Sequence, residues 1–200
     1  FGQSVLVARP AEQIGTVADQ LSELGAEAIV QPAIRISDPP DWQPVEDALE
    51  RLESYDWLVF SSVNGVRYFL RRLISGRADL RRLGGVRVAA IGPGTADALA
   101  DFPLKADLVP QEFRAESLAT ALAADAQGKR FLLARASRGR EVLAEQLRSA
   151  GALVDQVVVY SSSDVTSPDE DVKERLACGG IDWGLVTSSA IARSLVAMFG

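Results

Sequence analysis

Short β-branched runs alternate with longer amphipathic stretches along the whole chain. Val5-Leu6-Val7, Ala28-Ile29-Val30, Trp57-Leu58-Val59-Phe60, residues 86–91, Phe131-Leu132-Leu133, Val157-Val158-Val159-Tyr160 and residues 184–186 read as strands, with another near Leu108. Their neighbouring positions are apolar without alternation, which is the pattern of strands buried on both faces. Between them, apolar residues recur at helical spacing over residues 11–24, 41–51, 64–74, 95–100, 115–124, 140–150, 169–177 and 189–199. Gly25 closes the first of these helices, and Asp38-Pro39-Pro40-Asp41 breaks the chain before the second. Alternation of this kind predicts an α/β fold, with parallel sheets covered on both faces by helices.

The pattern also repeats. "VLVARP…ADQLSELGAE" from Val5 resembles "FLLARA…AEQLRSAGAL" from Phe131, at an offset of 126 residues, the separation of Leu6 and Leu132. The same offset pairs Arg9 with Arg135, Gln20 with Gln146, Gly25 with Gly151, Asp38 with Asp164, Asp56 with Asp182, Trp57 with Trp183, Ser62 with Ser188 and Arg67 with Arg193. No gap is needed, so the chain reads as an internal duplication. The first copy continues from Val86 through "VRVAAIGPGTADAL", whose counterpart would begin near position 212, whereas the sequence ends at Gly200. The expectation is that the second copy is cut before its glycine-bearing turn and that one sheet is incomplete.

Composition narrows the chemistry. With 200 residues, 48% of them hydrophobic, the chain can bury one large core or two modest ones. There is no histidine, which excludes His-based triads, HExxH zinc sites and a histidine base. Any reaction falls to Tyr, Asp, Glu, Arg, Ser or the backbone. The single cysteine, Cys178, can form no internal disulfide, which predicts a reducing, cytoplasmic setting and a packing or surface role for the thiol. A net charge of −6 argues against a general nucleic-acid binder, though it leaves room for a local basic cleft. No apolar run approaches the roughly 18 residues of a membrane span. No charged segment followed by an apolar one opens the chain, so no leader is expected, and a first residue of Phe1 reads as a trimmed or excised piece.

Three strand-to-helix turns carry candidate chemistry: Ser61-Ser62-Val63-Asn64-Gly65, its repeat mate Thr187-Ser188-Ser189, and Gly92-Pro93-Gly94-Thr95. Each places amide N–H groups and hydroxyls at a strand's carboxyl end, where anions bind well. The plainer reading is that Ser, Thr and Asn only cap helices. Gly92 and Gly94 do not make a dinucleotide fingerprint, because Asp97 stands at the third glycine position. Arg9 and Arg135 follow buried strands, with Arg138 and Arg140 close behind the latter. Arginines there can clamp carboxylates, or can simply make salt bridges in a solvated loop. Tyr160 precedes the polar Ser161-Ser162-Ser163 run, a candidate crossover between domains, where it could anchor a hinge or act in catalysis. The equivalent segment is Ile34-Arg35-Ile36-Ser37, with Ile34 at the tyrosine's position, so any role of Tyr160 is specific to one half.

"VLVARPAEQ", "YDWLVFSSVNGVRYFL", "VAAIGPGTADAL", "LLARASRGREVLAEQL", "VVVYSSSDV" and "IDWGLVTSSAIARSL", in this order over nearly the whole chain, resemble the uroporphyrinogen-III synthase family. The resemblance implies two flavodoxin-like parallel-sheet domains, residues 1–34 plus 163–200 and residues 35–162, joined by two crossover segments. It implies a cofactor-free, metal-free lyase that cyclises hydroxymethylbilane with inversion of ring D and loss of water. By similarity the ligand's carboxylates are held between the domains by the turns to which Ser61, Ser62, Asn64, Thr95, Ser188 and Ser189 map; Gly92, Arg9 and Arg135 are further binding candidates from their places at strand ends. Tyr160 matches the tyrosine proposed in the family to assist loss of the hydroxyl group. The expected partner is this small-molecule substrate alone, bound by a cytoplasmic monomer without nucleic acid or membrane. The family continues past Gly200 into a second Gly/Thr turn, which this sequence lacks. The alternatives are a non-catalytic two-domain module that closes on a small anionic ligand, and a nicotinamide oxidoreductase.

Overall fold

The structure, a computed structural model, describes residues 1–9, 14–76, 79–139 and 141–200. β1 (Ser4–Val7), α1 (Gly15–Glu23) and β2 (Glu27–Val30) open the chain, and β3 (Ile34–Ser37) follows. Next come α2 (Gln43–Glu50), β4 (Trp57–Phe60), α3 (Val63–Ser75), β5 (Arg87–Ala90), α4 (Pro93–Asp97), α5 (Ala115–Ala123), β6 (Arg130–Ala136), α6 (Val142–Ser149) and β7 (Leu153–Asp164). α7 (Glu170–Ala177), β8 (Trp183–Leu185) and α8 (Ser189–Phe199) complete the described elements. Phe1–Ile36 and Ser162–Gly200 form one compact unit, and Ser37–Ser161 form the other.

In the smaller unit the strand order is β2-β1-β8, with both pairings parallel. β7, β6, β4 and β5 lie side by side and parallel in a second sheet, whose edge strand β3, paired with β7, spans the boundary between the units at Ile36 and Ser37. The order reverses between β1 and β8 in one sheet and between β4 and β6 in the other. Such reversal points leave a crevice at the strands' carboxyl ends, where open α/β sheets take their ligands.

The duplication is written into the strand registers. Val5 pairs with Trp183 as Phe131 pairs with Trp57, and Leu6 pairs with Gly184 as Leu132 pairs with Leu58. Ser4 pairs with Glu27 as Arg130 pairs with Leu153. Each relation is preserved under the offset of 126 residues that separates Leu6 from Leu132. Asp182 Oδ2 accepts the Ser4 N–H at 2.7 Å, and Asp56 Oδ2 accepts the Arg130 N–H at 2.8 Å, the same bond in both units. Gly25 and Gly151 both turn at positive φ (76° and 87°) behind their helices, a conformation that glycine adopts without a Cβ penalty. Each unit therefore joins the first β-α-β of one copy to the later elements of the other.

Several elements differ from the sequence expectation. The two segments read as crossovers carry strands: β3 covers residues 34–37, and β7 runs on to Asp164. Their pairing gives a ladder partner to backbone groups that a free linker would leave to water. The strand expected near Leu108 is reduced to one bridge with Ala89. Leu108 donates to the Val88 carbonyl and accepts from the Ala90 N–H, but Pro110 has no N–H with which to extend the ladder. The helix expected over residues 95–100 begins at Pro93 and tightens into a 3-10 turn, Ala98–Asp101. Residues 11–13 and Arg140, the expected starts of two helices, lie outside the described residues.

The larger unit holds the deeper core. Trp57, Val59, Leu118, Leu122, Phe131, Leu133 and Leu147 pack together under α5 and α6, with the Trp57 and Phe131 rings stacked 6.2 Å apart. Burying one such side chain stabilises by about 1.5–3 kcal/mol. The smaller unit has two modest clusters, Ala8, Ala33, Ile34 and Ile191 in one and Leu6, Ile29 and Val172 in the other, with Leu195 packed against both. Trp183, the repeat mate of Trp57, stands on an edge strand and is 61% exposed.

Candidate functional site

β4 is buried along its whole length and ends at Phe60, so Ser61 and Ser62 fall at its carboxyl end. Ser62 is extended (φ −165°, ψ 156°) and caps α3, its Oγ accepting the Gly65 N–H at 2.9 Å. A Cβ on Gly65 would lie 3.1 Å from Ser62 Oγ and 3.2 Å from the Ala134 carbonyl oxygen. Glycine at this point lets the first turn of α3 approach β6 closely.

β7 brings Tyr160 to the same place. Along β6 and β7 the ladder runs Ala134–Val157, Arg135–Val158, then Ala136–Tyr160. The register slips by one residue, leaving Val159 unpaired, and irregularities of this kind re-aim side chains. Ser137 N–H binds the Tyr160 carbonyl at 2.9 Å and fixes the slip. The tyrosine side chain is nearly enclosed, at 7% exposure, with its hydroxyl 3.1 Å from Ser62 Oγ and its ring 5.7 Å from that of Tyr68. Burial pushes the phenol above its ordinary pKa, against a smaller downward pull from the Ser62 hydrogen bond.

A recess of about 240 Å³ opens here, at the reversal point between β4 and β6. Val59, Leu133 and Ala134 form its apolar floor, α5 and α6 contribute Ala115 and Leu143, and Ser61, Ser62, Arg135, Arg138 and Tyr160 supply its polar groups. Arg135 is held in a closed network. Its Nη1 is paired with Glu141 and donates to Gln156 Oε1 at 3.1 Å, while Gln156 Nε2 donates to Glu141 Oε2 at 2.7 Å. Gln156 and Arg135 together hold the Glu141 carboxyl below the usual carboxylate range. The recess thus offers a fixed cation, hydroxyls at a helix N-terminus and a neutral phenol, a set suited to binding a carboxylate beside a group that can give up a proton.

Of the residues singled out in the sequence, Ser61, Ser62, Arg135 and Tyr160 come together in this recess. Asn64 lies in the first turn of α3 and does not line it. Gly92 caps α4, where a Cβ would meet the Phe113 side chain at 3.0 Å, and Thr95 is buried within α4. Neither reaches the recess, and Gly92 serves to seat Phe113. Arg9, Ser188 and Ser189 belong to the smaller unit, at the ends of the adjacent strands β1 and β8. Ser188 caps α8 through the Ile191 N–H at 3.2 Å, as Ser62 caps α3. Arg9 Nε is buried without a hydrogen-bond partner among the described residues. Cys178 is exposed at the end of α7. Sequence reasoning named Gly65 only as part of its turn and missed Glu141 and Gln156. Gln156 shares the alternation parity of Tyr160 along β7 and was legible on that ground, whereas nothing local marks Glu141.

Comparison with known proteins gives the following. The family described as "Uroporphyrinogen-III synthase HemD" matches residues 15–200. A porphyrin biosynthesis protein HemD of Ruminiclostridium josui is 28% identical over 198 residues, 98% of this chain and 39% of that protein. A uroporphyrinogen-III synthase of Synechococcus elongatus is 32% identical over 195 residues, 97% of this chain and 74% of that protein. The chain therefore spans well under half of the first relative and about three quarters of the second. A mutant uroporphyrinogen III synthase from the extreme thermophile Thermus thermophilus superposes with a TM-score of 0.70 over 98% of this chain and 77% of its own, at 19% identity. The synthetase from Helicobacter pylori does so with a TM-score of 0.62 over 99% and 79%, at 16% identity. At these identities the superpositions speak to the fold, and the two α/β units match it.

Proposed function

The chain belongs to the uroporphyrinogen-III synthase family, and from that premise we propose that it closes hydroxymethylbilane to uroporphyrinogen III with loss of one water. The observation that carries the reading is Tyr160. It is a buried, neutral phenol, anchored by Ser62 and set beside a fixed arginine at the reversal point of a parallel sheet.

The chemistry needs little more than these groups. Tyr160 gives its proton to the substrate's departing hydroxyl, the C–O bond breaks, and water leaves. The adjoining pyrrole nitrogen supplies the electron pair and keeps its proton, leaving an electrophilic azafulvenium cation. The substituted carbon of ring D attacks it to form a spiro intermediate, which reopens and recloses with the ring inverted. The phenolate recovers a proton when the last ring carbon sheds one, so the enzyme returns unchanged. Simple closure would give the other isomer, so the main task is orientation, and proximity effects of this kind supply up to roughly 7–11 kcal/mol. A positioned proton donor adds about 10²–10⁴-fold.

The substrate carries eight carboxylates, which suit arginines and helix N-termini. Arg135 and Ser61 present such groups in the recess, where the Ser62 hydroxyl is already engaged with Gly65 and Tyr160. Arg9, Ser188 and Ser189 offer the same groups at strand ends of the smaller unit and are proposed as further carboxylate ligands, with Asn64, Gly92 and Thr95 as weaker candidates. The reading includes a lyase that works without metal or organic cofactor, as a monomer, in the cytoplasm. No helix among the described residues is long and apolar enough to cross a membrane. The test is turnover of hydroxymethylbilane by the chain and by Tyr160→Phe. The variant is expected to be slower by about 10²–10⁴-fold yet measurably active. A variant as fast as the parent removes Tyr160 from the mechanism.

A further inference from the structure

We infer that Ser62 acts through Tyr160 as a positioning residue, turning the phenol's proton toward the recess and tying its oxygen to the first turn of α3; this rests on Tyr160 being the proton donor of the reaction proposed above. A serine hydroxyl has one proton and two lone pairs. Ser62 Oγ spends a lone pair on the Gly65 N–H at 2.9 Å and lies 3.1 Å from the Tyr160 oxygen. When Ser62 donates to that oxygen, the tyrosine's own proton is free to face the recess that both residues line. As that proton passes to the departing hydroxyl, the phenolate keeps the Ser62 O–H, which the Gly65 amide polarises from the positive end of a 13-residue helix.

Two observations separate Ser62 from an ordinary cap. Its repeat mate Ser188 caps α8 in the same way, but position 34, the mate of Tyr160, is isoleucine. The serine–tyrosine contact is thus confined to the larger unit. Moreover, the residue whose amide Ser188 accepts is Ile191, whereas Ser62 accepts from Gly65, where a side chain would press on Ser62 Oγ and on the Ala134 carbonyl. The close seat of Ser62 between α3 and β6 therefore depends on glycine.

The experiment is a double-mutant cycle on the whole chain, with Ser62→Ala and Ser62→Thr made in the parent and in Tyr160→Phe. Ser62→Ala is expected to lower kcat by about 10- to 100-fold, the worth of a hydrogen bond to a charged group, with KM nearly constant. Ser62→Thr restores most of the loss, and Ser62→Ala costs nothing further once Tyr160 is Phe. A rise in KM at constant kcat, or an equal fall in the Tyr160→Phe background, overturns the inference and makes Ser62 a direct ligand. A second readout needs no turnover. The phenolate absorbance of Tyr160, isolated by subtracting Tyr160→Phe, is titrated with and without Ser62. Arg135 and Arg138 on the recess wall, Glu141 paired with Arg135, and the Tyr68 ring remain in place in both titrations. The titration is expected to move upward in Ser62→Ala. An unmoved titration overturns the inference whether or not the chain proves to be a synthase, and a parent that makes no type III product overturns only the synthase reading.

Discussion

Tyr160 is the residue on which the proposed chemistry and stability meet. Its folded pKa lies above the ordinary phenol value because burial disfavours the phenolate. Its contribution to stability is therefore fully present below the unfolded pKa of about 10 and is lost as pH rises through the folded value. Denaturant midpoints measured from neutral pH upward should fall more steeply for the parent than for Tyr160→Phe once pH passes about 10; parallel curves would mean that the phenol is not buried. Asp56 works in the opposite direction. The Arg130 amide and the Lys129 ammonium hold its carboxyl below the usual range. Its contribution is present above the unfolded pKa of about 4 and is lost as pH falls through the folded value. Asp56→Asn should be less stable than the parent at neutral pH, and the gap should close in acid. Both residues were legible in the sequence, Tyr160 from its place at the end of a buried strand and Asp56 from its repeat mate Asp182. The bonds they make were not, because Ser62, Arg130 and Lys129 reach them only across the sheet.

At the scale of elements, the two capped helices allow a comparison within one molecule. Ser62 and Ser188 each accept an N–H three residues on. Ser188→Ala should cost about 1 kcal/mol, the usual loss for an N-cap. Gly65→Ala should cost about 1–3 kcal/mol as an overpacked contact, since the Ala134 carbonyl cannot move aside as a flexible side chain could. Denaturant unfolding of each variant checks both, and a neutral Gly65→Ala would show that α3 is free to lift from β6. Most strands were legible because their apolar runs are short and uninterrupted. The first crossover was read without a strand, although Ile34-Arg35-Ile36-Ser37 alternates with a strand's period of two. The bridge at Leu108 shows the opposite failure, a local apolar signal cut short by a proline. The recess was half legible. Ser61, Ser62, Arg135 and Tyr160 lie at strand ends that pattern alone can find, but the Arg135–Glu141–Gln156 network depends on how β6, β7 and the start of α6 come together.

At the scale of the molecule, the chain is two copies of one pattern with their halves exchanged between two units. The repeat alone does not say which copies pair, though the family resemblance implies a domain made of residues 1–34 and 163–200; the matched registers of β1 with β8 and β6 with β4 give the pairing. The units are unequal in core. Trp57 is 3% exposed and stacked on Phe131, whereas Trp183 is largely open. Native-state hydrogen exchange should accordingly find the amides of Leu6 and Ile29 less protected than those of Leu58 and Leu132, and equal protection would mean that the two units open together. The proposed closure of hydroxymethylbilane belongs to the whole chain. It is tested most directly by generating hydroxymethylbilane in place, adding the chain, oxidising the product and separating the porphyrin isomers by chromatography. The account predicts type III in excess over the spontaneous type I. Type I alone, at the rate seen without protein, would contradict it.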